Sequence, residues 1–165
     1  VVLSRGLGDV YKRQIGFRSM PGGGTTDYAV DAFHCAQAGK PLTCYLDENE
    51  RLPMMSMDDA VRGTLELMEA PSECIGIRTS YNLSGCDFTP GELTRALQQC
   101  VPGFDTVYAP DHRQDIAASW PNSLDDSDAR RDWGWSPRHD VHGLVAHVLE
   151  GLAQQSNVNK PVANV

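Results

Sequence analysis

Pro21-Gly22-Gly23-Gly24-Thr25-Thr26-Asp27-Tyr28-Ala29 is the stretch on which the reading of this 165-residue chain turns. Three glycines after a proline let the backbone bend sharply and approach a ligand closely. Thr25, Thr26 and Asp27 suit the first turn of a helix, whose opening N–H groups have no internal partner. That helix is expected to run through Val30, Phe33, His34 and Gln37 and to stop at Gly39, with Pro41 beyond it. A glycine turn opening a helix can receive a carboxylate or phosphate. A plain surface turn with an N-cap has the same sequence. The stretch is not a dinucleotide fingerprint, because G-x-G-x-x-G from Gly22 needs glycine where Asp27 stands. No Gly-Lys-Ser/Thr follows, so it is not a Walker A loop either.

Upstream, residues 1–14 carry Gly, Arg and Lys with no apolar period. Gly6-Leu7-Gly8 starts like a fingerprint, but Tyr11 replaces the third glycine. The segment reads as a non-native, adaptor-derived string, and the native chain is expected to start near Ile15.

Downstream, residues 42–46 are short, β-prone and bounded by Pro41 and Asp47, which predicts a strand. Residues 52–57 are a second extended piece, with Pro53 implying an edge or entry position. Asp58 and Asp59 open a helix through Val61, Leu65 and Met68 that ends at Pro71; both aspartates read as caps rather than a catalytic pair. Met54, Met55 and Met57 read as core filler. Residues 78–83 predict a further strand. Thr89-Pro90-Gly91-Glu92 is a capping box with proline at the first helical position, followed by the helical face Leu93, Ala96, Leu97 and Cys100. Then come a strand over 104–109, a short helix over 112–119, a turn of helix capped by Asp125-Asp126-Ser127, and the aromatic turn Trp133-Gly134-Trp135. Val141, Leu144, Val145, Val148, Leu149 and Leu152 form a last amphipathic helix, and 154–165 is a frayed tail. This alternation means an α/β fold.

The net charge of −8 argues against nucleic acid and anionic membrane surfaces, which reward basic proteins. No apolar run approaches the roughly 20 residues of a membrane span. The five cysteines are odd in number and widely spaced, with no C-x-x-C, and read as reduced thiols. No zinc helix of the H-E-x-x-H kind is present, so no metal is expected. No G-x-S-x-G elbow occurs. A Tyr-x-x-x-Lys pair, in which lysine lowers the tyrosine pKa, is also absent. The residues four beyond Tyr11, Tyr28, Tyr45, Tyr81 and Tyr108 are Ile15, Ala32, Asn49, Gly85 and His112. No residue of this chain is therefore expected to be catalytic or to bind a cofactor.

The residues 21–30, Arg51-Leu52-Pro53-Met54-Met55, Met68-Glu69-Ala70-Pro71, Tyr81-Asn82-Leu83-Ser84, Ser119-Trp120-Pro121 and Asp132-Trp133-Gly134-Trp135 together resemble the NAD-dependent L-threonine 3-dehydrogenases. These are extended, epimerase-like short-chain dehydrogenases. The resemblance covers roughly residues 15–152. It implies the C-terminal, substrate-binding part of a Rossmann fold, its N-terminal cofactor half missing. The family reaction moves a hydride from C3 of L-threonine to NAD, giving 2-amino-3-oxobutyrate, with a tyrosine base that this chain lacks. Gly24, Thr25 and Thr26 match the substrate loop, and Trp120 matches an aromatic that helps close the site. Arg113 pairs with substrate or merely with Asp111. The resemblance further implies NAD bound mainly by the missing half, a homodimer when full length, and a cytoplasmic (bacterial) or mitochondrial-matrix (eukaryotic) location. Cys86-Asp87 departs from the family's pattern, where a more apolar pair is expected. Two other readings stand beside it: a nucleotide-sugar epimerase or dehydratase, with Arg51 meeting a diphosphate, and a non-catalytic interaction module.

Overall fold

The computed structural model describes residues 14–18 and 20–158. The expectation of a non-native segment over 1–14 lies, but for Gln14, outside the described residues. Gln14 itself pairs in a strand. The expected frayed tail lies outside them from 159 onward.

β1 (Gln14–Ile15) runs parallel to β3 (Leu52–Ser56), with Ile15 opposite Ser56. β3 runs antiparallel to β4 (Cys86–Phe88), with Leu52 opposite Phe88. The order β1-β3-β4 makes β3 central, so of the two positions Pro53 implied it takes the entry and not the edge. Pro53 is tolerated because it lies opposite Asp87, before the part of β3 that pairs with β1. A separate parallel pair joins β2 (Leu42–Cys44) to β5 (Thr106–Tyr108).

Helix α1 (Tyr28–Gln37) buries Tyr28, Ala29, Ala32, Phe33 and Ala36, one helical stripe. Gly39 follows at φ 64°, a left-handed turn that glycine adopts without strain. Helix α2 (Met57–Glu69) is capped by Ser56, whose Oγ accepts from Asp59 N–H at 3.0 Å. The cap is therefore Ser56, two residues before the first of the expected aspartates, and the Asp59 side chain does something else, described below. In α3 (Pro90–Cys100) the capping box is complete: Thr89 Oγ1 accepts from Glu92 N–H and Glu92 accepts from Thr89 N–H. Short helices α4 (His112–Ala118) and α5 (Ser127–Trp133) follow. Gly134, at φ 77°, ends α5 and turns Trp135 inward. Helix α6 (Val141–Val158) runs past the expected end at Leu152, because Gln37 donates to Leu152 O and to Ser156 Oγ. Among the described residues no helix is long and apolar enough to cross a membrane.

The predicted strand over 78–83 does not form. Tyr81 and Leu83 are buried, but the backbone bends at 78 and 79 and pairs with no strand among the described residues, and the chain pairs a few residues later, as β4. A larger core joins α1, α3 and α6 to both sheets through Phe33, Leu46, Phe88, Leu97 and Leu144. A smaller core gathers Met55, Ala60, Tyr81, Leu83, Ala129 and Trp135. Met54 and Met55 are core side chains as expected, whereas Met57 is exposed.

Candidate functional site

The glycine turn sits at the N-terminus of α1 and is tied down from three sides. From within, one oxygen of Asp27 accepts from the N–H groups of both Gly22 and Gly24, each at 2.8 Å. Asp27 thus makes no capping bond to its own helix. The N–H of Gly24, expected to be free for a substrate carboxylate, is already engaged by a carboxylate of this chain. From the residue just after β2, the Tyr45 hydroxyl donates to Gly24 O at 2.7 Å. From α4, Arg113 reaches Gly23 O at 3.4 Å.

The Arg113 Cζ lies over the Tyr45 ring, 3.2 Å from its centroid, a cation–π contact. Its guanidinium is forked onto Asp111 at 2.7 to 3.1 Å. These bonds hold the Asp111 carboxyl down at about 2. Burial pushes the Tyr45 hydroxyl up to about 12, although Arg113 opposes the shift. Tyr45 is consequently a hydrogen-bond donor here and no candidate base at neutral pH. Tyr28 packs edge-on against Tyr45, and its burial raises its hydroxyl well above the ordinary value. Gln114, next in α4, grips the loop after β2 by accepting from Asp47 N–H and donating to Glu50.

Of the sequence-predicted residues, Gly24 is exposed, Thr25 half-buried and Thr26 buried. Trp120 follows the end of α4, half-buried against the larger core, its N–H bonded to Ala117 O. The turn and α4 are joined through Arg113. Sequence reasoning missed Tyr45, which lies 21 residues from Gly24 with no motif to connect them, and assigned Asp27 to the wrong partner. Tyr45→Phe should remove the clamp on Gly24 at a cost of about 1 kcal/mol. Amide exchange over residues 22–28 should accelerate while α3 is unchanged; an unchanged turn would show that Asp27 alone holds it.

An open cavity of about 480 Å³ lies elsewhere, between β4 and the start of α6, lined by Arg51, Cys86, Asp87, Glu92, His139 and Asp140. None of the predicted substrate residues borders it. Arg51 is committed there to Asp87 O and Glu92, both at 2.6 Å. Burial and the acids around it push the Cys86 thiol up to about 12, which leaves it unreactive. Among the described residues no cluster of His, Cys, Asp and Glu is arranged to hold a metal.

The described residues form an α/β body with a glycine turn at a helix start. No family model matches the chain. A solved GalE-like L-threonine dehydrogenase from Cupriavidus necator superposes with a TM-score of 0.81 at 52% identity, over 84% of this chain and 45% of that one. The mitochondrial L-threonine 3-dehydrogenase of Bos taurus is 48% identical over 141 residues, 85% of this chain and 38% of the relative. An uncharacterized epimerase/dehydratase of Staphylococcus aureus is 40% identical over 84% of this chain and 43% of the relative. The chain is similar to L-threonine 3-dehydrogenases over about 85% of its own length, and its fold is that of part of an extended, epimerase-like short-chain dehydrogenase. It spans less than half the length of the curated relatives it matches, consistent with their C-terminal part.

Proposed function

We propose that this chain supplies the substrate-side part of an NAD-dependent oxidoreductase of threonine catabolism that oxidises L-threonine at C3 to 2-amino-3-oxobutyrate. The observation that carries this reading is the 52% identity, at a TM-score of 0.81, with the Cupriavidus necator L-threonine dehydrogenase. In this reading Gly24, Thr25 and Thr26 receive the substrate at the start of α1, where the amino acid's ammonium pairs with Asp27 and draws it off the Gly22 and Gly24 N–H groups, which its carboxylate then takes. Trp120 covers the substrate and excludes water. Arg113 and Tyr45 keep the turn in place.

The described residues do not fit the dinucleotide. The one glycine turn at a helix start is filled by Asp27, whose carboxylate would repel a phosphate. NAD would be held mainly by the part of the family fold that this chain does not span. The base of the family reaction would also come from there, and the full-length form would be a homodimer. A eukaryotic source would place it in the mitochondrion, as the Bos taurus relative's name has it, and a bacterial one in the cytoplasm.

The purified 165-residue chain is expected to produce no NADH from threonine and to leave NAD unbound by calorimetry. Joined to the remaining portion of the Cupriavidus necator enzyme, it is expected to gain threonine-dependent NADH production. NADH production by the chain alone would overturn the inactive-fragment part of the reading. A second reading, a nucleotide-sugar epimerase or dehydratase, draws on the Staphylococcus aureus relative's name. Arg51 is its candidate diphosphate ligand but is already paired with Glu92. Thermal stabilisation of the joined protein by a UDP-sugar and not by threonine would favour it.

A further inference from the structure

Two imidazoles laid one on the other join helix α6 to the start of α2. His139, in the segment leading into α6, and His147, in its second turn, stack with ring centroids 5.0 Å apart and planes 28° apart. Each faces one of the two aspartates in the first turn of α2. His147 Nε2 lies 3.0 Å from Asp58 Oδ2, and His139 Nδ1 lies 3.5 Å from Asp59 Oδ2. His147 also meets the Phe17 ring edge-on, with centroids 6.0 Å apart, and Phe17 lies against Gly151, one turn further along α6.

The two pairs are not equivalent. Asp59 already accepts from Arg62 and from the Arg138 N–H, and Ser56 Oγ stands 3.5 Å from His139. A proton on His139 would arrive beside a carboxylate that Arg62 has neutralised. Asp58 is 61% accessible and pairs with no other cation among the described residues. A proton on His147 therefore completes an ion pair with it. A second proton would face the first across the 5.0 Å stack. The other charges nearby are committed or turned outward. Arg62 is also bound to Glu66, Asp140 accepts from Gly143 N–H, and Arg18 lies over the Phe17 ring. Arg138, His142 and Glu150 are exposed. The Cys86 thiol on β4, pushed up to about 12 by burial and by Asp87, Asp140 and Asp59, stays neutral.

We propose that His147, Asp58 and His139 form a pH-sensitive latch: one proton, held by His147 against Asp58 over a neutral His139, fastens the first half of α6 to α2, and its loss loosens that half. Histidine is the side chain that changes charge between about pH 5 and 8. The ion pair exists only while His147 is charged, so its contribution is present at the acid end of that range and is lost as pH rises. A partly exposed pair of this kind changes a local opening equilibrium about two- to fivefold. That biases one end of a helix and leaves the rest of the fold unmoved.

The test measures amide exchange over residues 144–150 of the 165-residue chain at about pH 5.5 and about pH 8, corrected for intrinsic exchange and referred to α3. Wild type is expected to open about two- to fivefold more at the higher pH. Asp58→Asn and His147→Gln are each expected to open equally at both. His139→Gln is expected to keep the pH dependence, because the proton resides on the other ring. Equal opening of wild type at the two pH values would overturn the proposal, and that comparison requires no variant to fold. Persistence of the difference in Asp58→Asn or His147→Gln, or its loss in His139→Gln, would overturn it as well.

Discussion

Trp135→Ala is expected to cost about 3–5 kcal/mol, the range for emptying a large buried aromatic site. Trp135 is 1% accessible and the largest side chain of the smaller core. Its ring lies against Gly63, where a Cβ would come within 2.8 Å of it, so α2 approaches as closely as a glycine allows. The indole N–H donates to Ser84 O at 3.1 Å, and the Arg62 guanidinium lies 4.6 Å from the ring centroid. Removing the indole therefore leaves a cavity and an unpaired carbonyl, and strips Arg62 of its platform. Small domains hold only about 5–15 kcal/mol of stability. Amide protection is expected to vanish around Tyr81, Leu83 and α5 while persisting in α3 and α6, whose contacts belong to the larger core. Uniform loss of protection would mean that the two cores unfold as one unit.

Asp59→Ala is expected to cost about 3–5 kcal/mol, as for breaking a buried ion pair from one side. Asp59 is 1% accessible. Its Oδ1 accepts from Arg62 at 2.8 Å, its Oδ2 accepts from Arg138 N–H at 3.0 Å, and His139 stands 3.5 Å away. It thereby ties α2 to the segment leading into α6. Burial alone would raise its carboxyl pKa, but the bonds from Arg62 and Arg138 outweigh that and lower it. A lowered folded pKa gives stability that is present above the unfolded value of about 4 and is lost as pH falls through the folded value. The stability gap between wild type and Asp59→Ala, read by urea denaturation, should therefore narrow steadily below about pH 4. A gap independent of pH would assign the loss to packing alone.

Local signals in the sequence proved readable. The capping box at Thr89 and Glu92, the stop at Gly39 and the inward turn at Gly134 each depend on residues a few positions apart. Features set by distant partners were not. Ser56 takes the cap, while Asp58 and Asp59 fall inside the first turn and the Asp59 carboxylate is bound by Arg138, 79 residues away. The segment 78–83 has strand composition, yet a strand needs a neighbour, and none among the described residues pairs with it. Helix α6 outlasts its apolar pattern because Gln37 reaches across to it. The family, and the grouping of Gly24, Thr25 and Thr26 at a helix start, were legible from motif blocks. The clamp formed by Tyr45 and Arg113 was not, since it joins three elements through a hydroxyl, a ring face and two carbonyls.

On the substrate reading, the carboxylate of Asp27 would also set the selectivity of the glycine turn. It is a tethered competitor, joined to Gly24 by three residues, and tethering of this kind gives effective concentrations in the millimolar range or above. A free anion arriving alone must outcompete it for the same N–H groups, so chloride, phosphate or a simple carboxylate gains little there. A zwitterion has an advantage that a plain anion lacks. Its ammonium can pair with the displaced Asp27 while its carboxylate takes the vacated N–H groups. On the substrate reading, occupancy by an amino acid would keep two N–H bonds to a carboxylate and add an ion pair to Asp27, an advantage that an inorganic anion lacks.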